Sequence, residues 1–147
     1  MIGADTSFLV GLAIREHPAH EACVRLFETE ILGQAGSMAL AAQALAEFCH
    51  IVTDFRRFER PLEMSDALEI SEQWWRAEEC RHVHADAEAG ALFLSWMHEL
   101  RLGRKRLLDT LLAATYYRAA VTRIATTDWR DFEAYGVFEV ERLAPGS

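Results

Sequence analysis

The sequence has no long hydrophobic run and little cysteine. No stretch of about eighteen consecutive apolar residues occurs, which argues against a membrane-spanning helix. The first five residues lack the basic and apolar regions of a signal peptide. The three cysteines, Cys23, Cys49 and Cys80, are an odd number with no short spacing, and we place all three in helices. This pattern favours buried free thiols over disulfides. Together these absences predict a cytoplasmic protein.

Positive charge is also scarce. The chain carries 15 Lys and Arg residues against 23 acids, a formal net charge of −8, whereas a general nucleic-acid coat protein is normally basic. An enzyme that acts on a phosphodiester through a bound metal ion is not excluded, because the ion supplies the positive charge and its acidic ligands add to the negative total. The 147 residues are 51% hydrophobic, which is too apolar for a disordered chain and enough for one domain.

Short apolar strands alternate with amphipathic helices along the chain. The strand candidates are residues 2–5, 37–41, 81–85, 121–127 and 137–140. The helix candidates are residues 8–15, 18–32, 42–57, 64–80, 86–100 and 107–118. The alternation predicts an α/β fold, a three-layer α/β/α sandwich with a short, mainly parallel central sheet. We expect residues 1–143 to form a single domain and residues 144–147 to be a frayed tail.

The helix candidate at Leu107–Arg118 carries the most informative acid. Its apolar positions follow helical spacing along one face: Leu108, Leu111, Leu112, Thr115, Tyr116 and Ala119. Asp109 lies in the first turn, where a carboxylate is favoured near backbone N–H groups that lack helical partners. Asp109 is therefore either a charge at a helix start or a metal ligand held at the rim of a sheet.

Three further acids lie where they can converge with Asp109. Asp5 ends the first strand, Glu47 lies beside the apolar face of the third helix, and Asp128 follows the fourth strand. Ligands of such sheets bind outside the carboxyl ends of the strands. Magnesium prefers oxygen ligands, so converging carboxylates suit it. Because the chain has 23 acids, the positions of these four could be a coincidence. We favour a metal site because two of the four acids lie at the ends of strands.

Four short motifs occur in the order found in a known family and span almost the whole chain. They are Asp5-Thr6-Ser7-Phe8-Leu9, Leu45-Ala46-Glu47-Phe48, Leu108-Asp109-Thr110-Leu111-Leu112-Ala113-Ala114-Thr115 and Thr127-Asp128-Trp129-Arg130-Asp131-Phe132. With these motifs the chain resembles the PIN-domain ribonucleases, and among them the VapC-type toxins of toxin–antitoxin pairs. The resemblance implies a Mg²⁺- or Mn²⁺-dependent endoribonuclease whose catalytic metal ligands are Asp5, Glu47, Asp109 and Asp128. It also implies an RNA substrate, a homodimer and an antitoxin protein that wraps the toxin and blocks the site.

Three assignments at or beside this site are less direct. Asp131 is the alternative to Asp128 as the fourth acid, and we favour Asp128 because it is nearer the strand end. Thr6 resembles the hydroxyl that the family places beside the first acid, where it would orient a ligand, although it could equally cap the helix that follows. Arg104 and Lys105 are candidates for contacts with RNA phosphates, the alternative being a solvated basic face.

Other polar residues are less specific. His17 and His20 lie three apart but have no Cys or further His nearby, so we expect them at the surface rather than in a metal site. Arg56, Arg57 and Arg60 are further candidates for phosphate contacts or for a solvated face.

The sequence alone leaves three other functions as alternatives. An aspartate-based phosphatase would resemble D-x-D-x-T after the first strand, but this chain has Ser7 at the third position. A receiver-type protein-binding module would need an acidic pair after the first strand and a lysine near the last, and Lys105 is far from such a place. A non-catalytic PIN-like binding module is the third alternative, which the presence of all four acids argues against.

Overall fold

The centre of the molecule is one sheet of five parallel strands. The structure is a computed structural model, and it describes residues 1–145. The strands are β1 (Ile2–Ala4), β2 (Met38–Ala41), β3 (Cys80–Val83), β4 (Arg123–Thr126) and β5 (Glu139–Arg142). They lie in the order β3-β2-β1-β4-β5, and every neighbouring pair is parallel. A flavodoxin-like sheet, the receiver-type alternative, has the order 2-1-3-4-5, so this topology does not match it.

Helices connect the strands and cover the sheet. They are α1 (Thr6–Ala13), α2 (His20–Leu26), α3 (Ala42–Val52), α4 (Met64–Arg76), α5 (Ala87–Glu99), α6 (Leu107–Arg118) and α7 (Trp129–Glu133). A π-helical turn at Phe27–Ile31 extends α2, and a 3₁₀ turn at Arg104–Arg106 leads into α6. The predicted α/β architecture is confirmed, and the sheet is parallel throughout. Within residues 1–145, no helix is long and apolar enough to span a membrane.

The three inner strands are buried on both faces, as parallel strands covered by helices must be. Gly3 on β1 permits the close approach of α6, because a Cβ there would lie 2.9 Å from Ile124 Cδ1 and 3.1 Å from Tyr116 Cδ2. The buried Tyr116 hydroxyl donates to the carbonyl of Ala4 at 2.6 Å. These contacts fix α6 against the end of β1, immediately before Asp5.

The third helix is shorter than predicted. We expected residues 42–57, but α3 ends at Val52. The Thr53 hydroxyl donates to the carbonyl of Cys49 at 2.7 Å, and the Asp54 carboxylate accepts the backbone N–H of Arg56 at 2.8 Å. Asp54 thus forms a local turn that competes with the helix. Arg56 and the residues that follow it therefore lie in a loop.

Several other boundaries also differ from prediction. The helix expected at 64–80 ends at Arg76, because Ala77 is extended (φ −67°, ψ 145°). Cys80 consequently begins β3 and is only partly buried, whereas Cys23 and Cys49 are buried; all three are free thiols. The helix expected from Pro18 begins at His20. In each case a local turn ends or delays the helix where apolar spacing alone would continue it.

The last part of the chain shows two further differences. The final strand, expected at 137–140, lies at Glu139–Arg142, because Gly136 forms a turn with φ +72° and Glu139 pairs with Arg123. The loop predicted after β4 contains the short helix α7, which sequence periodicity missed because it has only five residues. Of the predicted tail, residues 146 and 147 lie outside the described residues.

The buried face of α6 is wider than predicted. Leu112, Thr115 and Tyr116 are buried as predicted, and Thr110, Ala113 and Ala114 are fully buried as well, whereas Leu108 is 55% exposed. The helix packs on both β2 and α5, so its middle is covered on more than one side. Its first turn is less covered, and this leaves the segment around Asp109 open to a cavity.

Candidate active site

All four predicted acids line one cavity. The cavity has a volume of about 380 Å³, and its wall includes Asp5, Glu47, Asp109 and Asp128. Asp5 follows β1, and Asp128 occupies the N-cap position of α7 after the neighbouring strand β4. Glu47 lies on α3 and Asp109 in the first turn of α6. The fold therefore brings together acids that are more than a hundred residues apart in the chain; their role as metal ligands remains a prediction.

Asp5 is the most deeply buried of these acids, with 2% of its surface exposed. Its Oδ2 accepts hydrogen bonds from the Ser7 and Thr126 hydroxyls, both at 2.7 Å. Its Oδ1 is buried and has no hydrogen-bond partner within residues 1–145. Burial raises the pKa of Asp5 to about 6, with a further contribution from the charge of Asp128, although the two hydroxyls act in the opposite direction. Asp5 thus has a fixed orientation and one oxygen without a partner. A buried charge is costly unless it is paired, so this carboxylate is a suitable ligand for a cation.

Small hydroxyl side chains connect Asp5 to the loop that carries Asp128. The Ser7 Oγ lies 3.1 Å from Thr126 Oγ1 and accepts the backbone N–H of Thr127 at 2.9 Å. The backbone N–H of Asp128 donates to Thr126 Oγ1 at 2.9 Å. We expected Ser7, like Thr6, as a possible helix cap, and we did not predict that Ser7 and Thr126 would support Asp5. The available signal was the pairing of an acid with adjacent hydroxyl residues at both strand ends.

Glu47 is held by two donors. The Thr6 hydroxyl donates to Glu47 Oε2 at 3.2 Å, and the Gln43 amide donates to Glu47 Oε1 at 2.8 Å. Gln43 also donates to the carbonyl of Leu108 at 2.8 Å, which links α3 to the start of α6. Thr6 makes no side-chain cap to α1; Asp5 occupies the N-cap position instead. The Thr6 hydroxyl therefore orients an acid of the cavity, and that acid is Glu47.

The negative charge of the cavity is concentrated around Asp109. The pKa of Asp109 is raised to about 7, mainly by burial and in addition by the carboxylates of Asp5, Glu47, Asp128 and Asp131. The pKa of Asp128 is raised by burial and by Asp131. Such mutual repulsion is relieved when a cation binds among the carboxylates. In the part of the chain that the structure describes, no three acidic, His or Cys side chains are grouped closely enough to hold an ion as they stand. Ion binding would therefore need the carboxylates to rotate inward.

Asp131 lies apart from the main cavity. Its carboxylate is 3.5 Å from Arg106 Nη1, and its backbone carbonyl accepts from Arg106 Nη2 at 2.6 Å. Arg106 also donates to the Tyr135 hydroxyl at 3.1 Å, so it joins the start of α6 to α7. The choice of Asp128 over Asp131 as the fourth acid stays a prediction. Arg104 and Lys105 are exposed on the 3₁₀ turn and do not line the cavity.

Among the other side chains that line the cavity are His17, Arg57 and Phe58, which we had not placed with the four acids. His17 is partly buried in the cavity wall, although its sequence neighbourhood predicted a surface position. Arg57 and Phe58 reach the cavity because α3 ends early and the loop after Val52 turns back. Neither helix spacing nor a motif marks these residues, since their position depends on how two loops meet.

Family comparison agrees with the site geometry. The family model of the PIN domain matches residues 3–137, which is most of the chain and includes all four acids. The chain belongs to the PIN domain family. The resemblance based on four short motifs is thereby confirmed at the level of the family. Comparison with curated protein sequences finds no match for this PIN-domain chain.

Solved structures share the fold. The VapC20 toxin of Mycobacterium tuberculosis, described as cleaving the sarcin-ricin loop, is 20% identical, with a TM-score of 0.72 over 96% of this chain and 99% of that one. FitAcB from Neisseria gonorrhoeae is 20% identical, with a TM-score of 0.66 over 95% and 96% of the two chains. VapBC2 from Rickettsia felis, bound to a DNA fragment from its promoter, is 16% identical, with a TM-score of 0.68 over 97% and 98%.

Proposed function

We propose that this PIN-domain chain is a Mg²⁺- or Mn²⁺-dependent endoribonuclease that acts as the toxin of a toxin–antitoxin pair. The observation that carries the proposal is the set of four carboxylates around one cavity, with a buried Asp5 oxygen that no described donor satisfies. Oxygen-only donor sets match the preference of Mg²⁺ and Mn²⁺. Asp5, Glu47 and Asp109 would hold the ion, and Asp128 would complete the site or assist a second ion.

The chain's own residues prepare this site for phosphodiester hydrolysis. A bound divalent ion would lower the pKa of the attacking water and would stabilise negative charge on the phosphate oxygens. Ser7 and Thr126 fix Asp5 through its Oδ2, and Oδ1 has no hydrogen-bond partner within residues 1–145. Thr6 and Gln43 fix both oxygens of Glu47. Such supporting hydrogen bonds orient the carboxylates, and each carboxylate oxygen that accepts one of them keeps a second lone pair for an ion.

The remaining parts of the proposal concern partners and location. VapC20 is described as a toxin that cleaves the sarcin-ricin loop, and the VapBC2 structure is described as bound to a DNA fragment from its promoter. By analogy we infer an RNA substrate, a cognate antitoxin, a homodimer and a cytoplasmic location for this chain. No observation favours the phosphatase, receiver-type or non-catalytic alternatives over this function.

Metal-dependent cleavage is the first expected result. Purified protein should cut single-stranded RNA in the presence of Mg²⁺ or Mn²⁺, and a chelator should stop the reaction because the carboxylates alone provide no positive charge to the phosphate. Gel analysis of an end-labelled RNA measures the rate. Glu69→Gln, which changes an exposed acid on α4, is the matched control and should retain full activity. Cleavage that continues unchanged in chelator would exclude this mechanism.

Thr6→Val should weaken metal binding without removing a ligand. The substitution deletes the hydrogen bond to Glu47 Oε2 but keeps the shape of the side chain. Loss of such an orienting partner typically costs about 10- to 100-fold in metal affinity. Isothermal titration with Mn²⁺ measures the change, and Thr6→Ser, which keeps the hydroxyl, should bind nearly as the wild type. Equal affinities for all three proteins would show that the hydroxyl does not support the site.

A further inference from the structure

A groove of about 590 Å³ lies beside the carboxylate cavity. It is lined by the segment after α1, residues 13–18, and by residues of the loop after α3 between Phe58 and Leu62. Two side chains, His17 and Phe58, line both the groove and the cavity. They therefore mark the junction where a molecule that extends from the carboxylates would enter the groove.

The hydrogen bonding of His17 defines its chemistry at this junction. Its Nδ1 accepts the backbone N–H of Ala19 at 3.0 Å. A backbone N–H can only donate, so Nδ1 carries no proton and the neutral ring keeps its proton on Nε2. Burial and the neighbouring His20 lower the pKa of His17, which favours this neutral form. The ring is thus a hydrogen-bond donor with one defined donating atom.

The donating atom is available to a ligand. Nε2 of His17 has no hydrogen-bond partner among residues 1–145 and is not one of the buried unpartnered atoms of that part of the chain. A nitrogen that carries a proton does not ligate a metal ion, so His17 differs from the carboxylates that share its cavity. Its natural acceptor is an oxygen of a bound molecule, such as a phosphate oxygen or a ribose hydroxyl.

The groove offers further features that match a nucleic-acid strand. Arg15 and Arg60 line it, and Arg57 lines the adjoining cavity, so cations lie along the route; Glu16 and Glu59 also line the groove. Phe58, at the junction, offers an aromatic ring on which an unpaired base could stack. Single strands are bound by this combination of cations that follow the phosphates and aromatic rings that contact the bases.

We propose that a single-stranded RNA substrate leaves the carboxylate cavity along this groove, and that His17 donates a hydrogen bond from Nε2 to the sugar-phosphate backbone at the junction. The inference rests on the proposed ribonuclease function and adds the path of the substrate and a residue that contacts it. It assigns His17 to substrate binding rather than to the metal.

Two substitutions at His17 separate this role from a structural one. His17→Asn places Oδ1 where the ring has Nδ1, so it keeps an acceptor for Ala19 but has no atom at the position of Nε2. His17→Gln places an amide donor near the position of Nε2 but lacks the acceptor for Ala19. We expect His17→Asn to raise KM for single-stranded RNA about 10-fold with little change in kcat, the size expected for a hydrogen bond to a charged group, and His17→Gln to stay closer to the wild type.

The control substitutions define the outcomes. His84→Asn changes an exposed histidine that lines neither the cavity nor the groove and should leave KM unchanged. Arg60→Ala should raise KM and reduce its dependence on salt, whereas Arg25→Ala, on the outer side of α2, should do neither.

A defect in His17→Gln with normal kinetics in His17→Asn would assign His17 a structural role and overturn the inference. RNA cleavage with normal KM in both His17→Asn and Arg60→Ala would also overturn it and leave the nuclease function intact, whereas absence of metal-dependent cleavage by the wild type would overturn both.

Discussion

Asp5→Asn is expected to remove RNA cleavage and, at the same time, to stabilise the metal-free protein. The loss of activity follows because Asp5 lines the cavity with one oxygen, Oδ1, that has no hydrogen-bond partner within residues 1–145, and an amide is a poor ligand in place of a carboxylate. A bound metal ion contributes several kcal/mol to the stabilisation of the transition state, so the rate should fall at least about 100-fold. Initial rates with end-labelled RNA measure this effect.

The gain in stability has a separate cause. Burial raises the pKa of Asp5 from 3.8 to about 6, which means that the folded state holds the ionised carboxylate less favourably than the unfolded state does. An uncharged amide avoids this cost and still accepts from Ser7 and Thr126. The gain at pH 7.5 should be of the order of 1–3 kcal/mol, or several degrees in Tm.

Thermal unfolding in chelator, followed by circular dichroism, measures the stability of Asp5→Asn against the wild type. Glu69→Gln, which removes an exposed acid, serves as the control and should leave both Tm and activity unchanged. Addition of Mg²⁺ should raise the Tm of the wild type but not that of Asp5→Asn, because only a protein that binds the ion is stabilised by it. An inactive Asp5→Asn protein with a lower Tm would mean that Asp5 supports the fold rather than a metal ion.

The metal-free protein should lose stability as the pH rises from about 4 to just above 7. Asp5 and Asp109 have folded-state pKa values of about 6 and about 7, both above the ordinary aspartate value of 3.8. A group with a raised folded-state pKa makes its full contribution to stability below its unfolded-state pKa, and this contribution is lost as the pH rises through the folded-state pKa. The affected window therefore extends from about pH 4 to just above pH 7.

Urea unfolding at several pH values in chelator measures this dependence. The double variant Asp5→Asn, Asp109→Asn should have a flatter profile, because the two groups that take up protons on folding are absent. Saturating Mg²⁺ should also flatten the wild-type profile, since a cation stabilises the ionised carboxylates in place of protons. If the wild type and the double variant show parallel profiles in chelator, these two acids do not titrate as the cavity geometry requires.

The general architecture was predictable because it depends on local patterns. Apolar strands alternating with helices required a parallel sheet, and parallel strands place the residues after their carboxyl ends at one edge. The convergence of Asp5 and Asp128 follows from that rule once β1 and β4 are neighbours. The convergence of Glu47 and Asp109 with these two acids was harder to predict. Helix spacing shows which face of a helix is apolar but not how far along the sheet the helix extends.

The finer parts of the site depend on contacts between distant segments. The hydroxyls of Ser7 and Thr126 meet on one oxygen of Asp5, although they are separated by 119 positions in the chain. His17 enters the cavity wall because the segment after α1 folds against the loop after α3. Leu108, in the first turn of α6, is exposed although its position fits the apolar spacing of the helix, so periodicity within α6 does not predict this.

The binding of a divalent ion by the four carboxylates tests the central claim most directly. Titration calorimetry with Mn²⁺ should detect binding to the wild type, and Asp5→Asn, Glu47→Gln and Asp109→Asn should each weaken it at least about 10-fold, with a smaller loss for Asp128→Asn. Asp131→Asn should bind nearly as the wild type, because its carboxylate pairs with Arg106 outside the cavity. Equal Mn²⁺ affinity in the wild type and in the Asp5, Glu47 and Asp109 variants would contradict the account.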